Sequence, residues 1–193
     1  MAKRLSSAED LNRFRTQCQK KLAERSKKIE VKVHLGTCGI AGGARGVQEA
    51  FAKELESRHL SNVVMTEAAC IGPCEREPVV TVLHPQMGKV IYADVTPQQV
   101  PTIVERHIVG GQAIDEWMLD LEAPTFKLQE IRVMHNQDID PRSIEEYVAR
   151  DGYQALAKVL TLMQPNDVID EISKAGLRGR GGAGTNDFFG KEV

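Results

Sequence analysis

Val33-His34-Leu35-Gly36-Thr37-Cys38-Gly39-Ile40-Ala41-Gly42-Gly43-Ala44 and Ala69-Cys70-Ile71-Gly72-Pro73-Cys74 decide how this chain is read. Each is a glycine-bearing loop with cysteine, and each follows a short apolar stretch. Ile29-Glu30-Val31-Lys32-Val33-His34-Leu35 alternates apolar and polar residues, which predicts a half-buried strand leading into the first loop. Val63-Val64-Met65-Thr66 predicts a second strand leading into the other. Between them, Val47, Ala50, Phe51 and Leu55 fall on one face of a helix. Two strands joined by a crossover helix, followed by a hairpin and a last helix, read as a small α/β layer.

Further out, residues from about 8 to 28 read as a helix with Leu11, Phe14, Cys18 and Leu22 on its apolar face. Pro78 to Leu83 and Lys89 to Ala93 predict a hairpin about Pro85-Gln86-Met87-Gly88. Thr96 and Pro97 predict the cap and first residue of another helix, with Val100, Ile103, Val104 and Ile108 inward and Gly110-Gly111 at its end. The implied fold class is α/β. The segment from 120 to 141, with Pro124, Pro141 and the patch Phe126 to Val133, reads as a linker with one or two short strands. Residues 142 to 175 read as helical, broken near Gln164-Pro165 and ended at Gly176. The expected organisation is an N-terminal helix (1–28), an α/β domain (29–119), a linker (120–141) and a helical fragment (142–193).

The 193 residues are 41% hydrophobic and carry a net charge of −2, so a core of ordinary size is available and no basic field for nucleic acid exists. No apolar run of the ~18 residues needed to cross a membrane is present. Met1-Ala2-Lys3-Arg4 has no apolar stretch behind it, which argues against a secretory signal and for a cytoplasmic setting. There, clustered cysteine means metal or redox chemistry more often than disulfides.

Cys70 and Cys74 supply two thiolates in a loop bent by Gly72 and Pro73, enough for one iron of a 2Fe-2S cluster. Cys38 is the third candidate, in a loop where five of the next six residues are glycine or alanine. Cys18 is read as the fourth ligand. Its alternatives are a buried structural cysteine at that position, or His34 as a ligand of the Rieske kind. A structural zinc, or an empty site in a non-redox assembly module, is the competing reading of the whole group, although zinc favours two close thiol pairs and only one is present. A thiol–disulfide oxidoreductase fits poorly, because its pair is normally Cys-x-x-Cys and three residues separate Cys70 from Cys74. Glu75, Arg76 and Glu77 read as a solvated rim. His59, His84, His107 and His135 read as surface or core residues rather than ligands.

Val33–Ala44 and Ala69–Val80 together resemble the thioredoxin-like 2Fe-2S ferredoxin family, in the branch attached to NADH-linked flavoproteins. Ile144-Glu145-Glu146-Tyr147, Gly152-Tyr153-Gln154-Ala155-Leu156 and Gly176-Leu177-Arg178-Gly179-Arg180-Gly181-Gly182-Ala183-Gly184 resemble the opening of the NADH-binding flavoprotein subunit of complex I. A similar arrangement occurs in the beta subunit of NAD(P)-linked, electron-bifurcating FeFe hydrogenases. The resemblance implies a thioredoxin-like 2Fe-2S domain, electron transfer within a multi-subunit redox complex, and the start of an FMN- and NADH-binding domain that stops after Gly184. FMN and NAD(H) would belong to the intact family member only. The sequence departs from the family in its first loop, where His34 stands near the place of the first of two cysteines and the remaining one is shifted by one position.

Gly179, Arg180, Gly181, Gly182 and Gly184 satisfy G-x-G-x-x-G, but a helix rather than a strand precedes them, so a dinucleotide fold is a poor reading. The resemblance implies that this loop holds FMN in the whole protein. In this chain alone the competing reading is a flexible tail.

Overall fold

The computed structural model describes residues 4–120, 136 and 139–176. The expected strands near 126–133 and the glycine run 179–184 lie outside them. The chain divides into two compact units, one up to Arg150 and one from Asp151 onward.

The first unit is built on a four-stranded mixed sheet. Its strands are β1 (Ile29–His34), β2 (Val63–Ala68), β3 (Val80–His84) and β4 (Gly88–Tyr92), in spatial order β2-β1-β3-β4. β1 runs parallel to β2 and antiparallel to β3, and β3–β4 is the expected hairpin. Three helices accompany the first two strands: α1 (Ala8–Arg25), α2 (Thr37–Ala41) and α3 (Ala44–Ser57). Beyond β4, Thr96 and Gln99 form the capping box of a short 3-10 turn, Pro97–Gln99, which leads into α4 (Val100–Ile103). The helix then widens into a π turn over Val104–Val109. A parallel β-α-β crossover followed by an antiparallel hairpin and a helix is the thioredoxin-like arrangement that the order of elements predicts. The polar side chains of α1 and α3 face outward, and Val47 and Phe51 of α3 meet Val31, Val33, Val80, Val82 and Tyr92 of the sheet and Val100, Ile103 and Val104 of the last helix.

Two local expectations change. The small-residue loop after β1 contains a short helix, α2, in which the Ile40 N–H reaches the Gly36 carbonyl at 2.9 Å. β1 is buried at all six residues rather than on one face. It is a central strand, and Glu30 and Lys32, on the face away from the apolar core, are covered too. Glu30 accepts from the Thr66 hydroxyl at 2.7 Å and pairs with Lys32 and with Arg25 of α1. Arg25 also pairs at 2.7 Å with Glu146, on α5 (Ile144–Ala149), a helix that packs against α1. The charges survive burial because each has an opposite partner.

The second unit shows α6 (Gln154–Leu162) and α7 (Pro165–Ala175). Gln164 sits at the cap of α7, its N–H donating to Asp167 at 2.8 Å, and Gly176 closes the helix with a left-handed φ of 60°. No helix among the described residues is long and apolar enough to cross a membrane.

Candidate metal centre

Parallel pairing of β1 and β2 brings their C-terminal ends side by side, with His34 in register with Ala68. The two cysteine loops leave from these ends. Leu35 N–H donates to the Ala68 carbonyl at 2.9 Å, so the pairing continues past the strands. The loops then press together: a Cβ placed on Gly36 would lie 2.8 Å from the Cβ of Cys70. Only glycine allows that approach, which is a steric requirement and not a matter of φ.

Cys38 lies in α2, exposed; Cys70 is half-buried; Cys74 is exposed at the start of a 3-10 turn, Cys74–Arg76. The Cys70 and Cys74 sulfurs are 3.6 Å apart, and the Gly72 N–H donates to Cys70 Sγ at 3.3 Å. Gly72 makes that bend with a φ of 115°. Hydrogen bonding with the Cys38 thiol first, and then with Cys70, pushes the Cys74 thiol up to about 12. A metal bound there would take these sulfurs as thiolates. A rim follows, where Arg76 pairs with Asp94 at 2.7 Å and the Asp94 N–H donates to the Arg76 carbonyl at 2.8 Å.

Cys18 is placed elsewhere. It is 1% exposed on the inner face of α1, and the groups acting on its thiol are Lys21 and Glu145. Burial is the main cause that raises its pKa, with Glu145 second. The apolar face that carries Cys18 packs on α5, so the structure brings Cys38, Cys70 and Cys74 together without it.

His34 is also committed. It is 1% exposed, with Nδ1 2.6 Å from the Ala69 carbonyl and Nε2 2.9 Å from the Thr81 hydroxyl. A carbonyl only accepts, so Nδ1 carries the proton and donates. His34 thereby fixes the residue before Cys70, and both ring nitrogens are in use.

The sequence reading placed Glu77 in a solvated rim, and the structure turns it inward. Its Oε2 accepts from the Val79 N–H at 2.7 Å, and a Cβ on Gly39 would meet that oxygen at 3.1 Å. Oε1 is buried with no hydrogen-bond partner among the described residues. Burial raises the Glu77 pKa; the Val79 N–H and the Cys70 thiol oppose the rise. No sequence signal set this residue apart from Glu75, which is exposed.

Soft thiolates suit iron–sulfur clusters and zinc alike. Among the described residues no group of three His, Cys, Asp or Glu side chains is set to hold a metal ion. A 2Fe-2S cluster divides its donors between two irons, and a close pair with a third thiol from a facing loop suits that division.

No family model matches this chain. Curated relatives do. Over 111 residues, it is 27% identical to NADP-reducing hydrogenase subunit HndB of Solidesulfovibrio fructosivorans, covering 58% of this chain and 88% of that one. Over 46 residues it is 61% identical to subunit HndC of the same organism, covering 24% of this chain and 9% of the relative. A 2Fe-2S ferredoxin of Clostridium pasteurianum is 41% identical over 69 residues, 35% of this chain and 65% of the ferredoxin. A solved thioredoxin-like 2Fe-2S ferredoxin from Aquifex aeolicus aligns with a TM-score of 0.44 and 26% identity, over 49% of this chain and 98% of that one. The chain is thus homologous to ferredoxin-type and hydrogenase-subunit proteins over parts of its length, and it spans about a tenth of HndC.

Proposed function

We propose that this chain carries single electrons through a 2Fe-2S cluster held by Cys38, Cys70 and Cys74, as part of an NAD(P)H-linked hydrogenase or NADH dehydrogenase-type complex. The observation that carries the reading is the meeting of three thiols from two loops at one end of the sheet, with Cys70 and Cys74 Sγ 3.6 Å apart and the Cys38 thiol within hydrogen-bonding reach of Cys74. Homology to a protein named as a 2Fe-2S ferredoxin supports the cofactor, and homology to hydrogenase subunits supports the setting. When bound, the cluster accepts and returns one electron.

The residues around it do the rest. Gly36 lets the loops close, and His34 fixes the backbone ahead of Cys70. The Gly72 N–H, donating to Cys70 Sγ, withdraws charge from that sulfur and favours the reduced state. Cys38 and Cys74 are exposed, which keeps the site near the surface where a partner subunit can approach. Hydride transfer, and any division of an electron pair between two acceptors, would be the work of other parts of such a complex. We place the complex in the cytoplasm, where free thiols persist.

Anaerobically purified protein should be reddish-brown and bleach on dithionite. Colourless protein with one zinc per chain would identify the assembly-module reading instead.

A further inference from the structure

We propose that the Glu77 carboxylate is the fourth protein donor to the cluster, binding through Oε1 beside the thiolates of Cys38, Cys70 and Cys74; this rests on the 2Fe-2S reading above. Two irons take four protein ligands, and three thiols are gathered. The two other candidates from the sequence are held elsewhere: Cys18 beside Lys21 and Glu145, His34 between the Ala69 carbonyl and the Thr81 hydroxyl.

Glu77 touches both loops. Its carboxylate lies against Gly39, the neighbour of Cys38, and against the Cys70 thiol. The Val79 N–H holds Oε2 at 2.7 Å and so fixes the group's orientation. Oε1 is left buried without a hydrogen bond among the described residues. A buried acceptor in that condition is unfavourable, more so when charged, unless something pairs with it. A cation is the natural partner, and carboxylate oxygen is an established iron donor in other protein sites. Coordination moves no electron: an oxygen lone pair goes to iron, and any proton on the carboxyl goes to solvent.

The chain's local geometry also serves this placement. The 3-10 turn after Cys74, closed by the Arg76 N–H on the Pro73 carbonyl at 2.9 Å, leads the backbone around to Glu77. Gly39 is glycine because a side chain there would collide with the His34 carbonyl and crowd Glu77 Oε2. The first loop is thus shaped to admit the carboxylate.

The full chain, loaded anaerobically with iron and sulfide, provides the test. Iron and sulfide content and the EPR signal of the dithionite-reduced protein are compared for wild type, Cys18→Ser, Glu77→Gln and Glu77→Cys. Cys18→Ser should keep its iron and its signal. Glu77→Gln should lose most of its iron to a chelator that leaves wild type loaded. Glu77→Cys should hold a full complement with shifted g-values, because thiolate has replaced oxygen. A readout independent of folding is ENDOR on reduced wild type grown with carboxyl-¹³C glutamate, where a hyperfine coupling from one carboxyl carbon is expected. Normal cluster content with no such coupling, or Glu77→Gln with wild-type iron and spectrum, overturns the assignment alone. Wild type that takes up zinc or nothing overturns the cluster reading, and this proposal with it.

Discussion

Two regions of this chain share a sequence pattern and differ in what they do with it. The helices α3 and α7 both carry apolar residues at helical spacing. In α3, Ala44, Val47 and Phe51 are fully buried against the sheet. In α6 and α7 no residue is buried, and Leu156, Leu160, Leu162 and Ile169 are 51%, 75%, 79% and 45% exposed. Amphipathic periodicity specifies that a helix has an apolar face; it does not supply the surface that covers it. The first unit has its own cover because a four-stranded sheet stands opposite α3. The second, as described, is a helix pair held by contacts such as Lys158 with Glu171 at 3.0 Å, an exposed pair of small energetic weight.

The sharpest way to break this contrast is to remove a core side chain. Phe51→Ala should cost about 3–5 kcal/mol in urea unfolding of the first unit, because a large, fully buried ring leaves a cavity that the sheet cannot close. A loss below about 1 kcal/mol, the scale of a surface substitution, would mean the core is not where stability resides.

Next is the charged face of the sheet. Arg25→Ala removes the partner shared by Glu30 and Glu146, whose side chains are 7% and 4% exposed. The expected cost is about 3 kcal/mol, the low end for an uncompensated buried charge, since Arg25 itself keeps 24% exposure. Adding Glu146→Gln should return part of that loss, and strict additivity in the double-mutant cycle would show the pair to be uncoupled.

A smaller effect on stability but a larger one on the site is expected from Gly36→Ala. Its Cβ would stand 2.8 Å from Cys70 Cβ. Forcing the loops apart should cost about 1–3 kcal/mol, and the variant should retain less iron after anaerobic loading than wild type.

A pH scan tests the core from another side. His107 is 0% exposed, 2.8 Å from the Tyr92 hydroxyl through Nδ1, with Nε2 unpartnered among the described residues. Burial, and then the nearby His84, lower its pKa from 6.5. The unfolded chain therefore binds a proton that the folded chain resists. Its contribution to stability is complete above pH 6.5 and is lost as pH falls through the lower folded value. Melting temperature should drop as pH falls below this point, and His107→Gln should flatten that part of the curve. An equal drop in both proteins would assign the effect to other groups.

The smallest change is expected from Leu160→Ser in α6. At 75% exposure it should shift unfolding of the first unit by no more than about 0.5 kcal/mol. A shift comparable with that of Phe51→Ala would show that this exposed position carries structural weight.

Much of the sheet was legible in the sequence because alternation and turn chemistry are local. Ile29 to Leu35, Val63 to Thr66 and the hairpin about Pro85–Gly88 appear as strands, and Thr96 with Gln99 forms the expected helix start. The meeting of Cys38 with Cys70 and Cys74 was also foreseeable, since a parallel crossover sets both loops at one edge. Other features were not. Cys18 shares a face with Leu11, and the periodicity is silent on whether that face meets the cysteine loops or α5. His34 stands four residues before Cys38, but whether its nitrogens are free depends on Thr81, which is 47 residues away. Glu75 and Glu77 are identical letters two positions apart, and only the turn after Cys74 sends one outward and the other between the loops.

By itself, the sequence determined the order of elements, the helix and strand faces, and a pair of cysteine loops bent by glycine and proline. These follow from short-range sterics and periodicity. Only the tertiary structure decided which donors meet, which strand face is covered and which apolar helix has a surface to rest on. Those outcomes depend on contacts between residues far apart in the chain, and the energy of such contacts is set by three-dimensional proximity and loss of water.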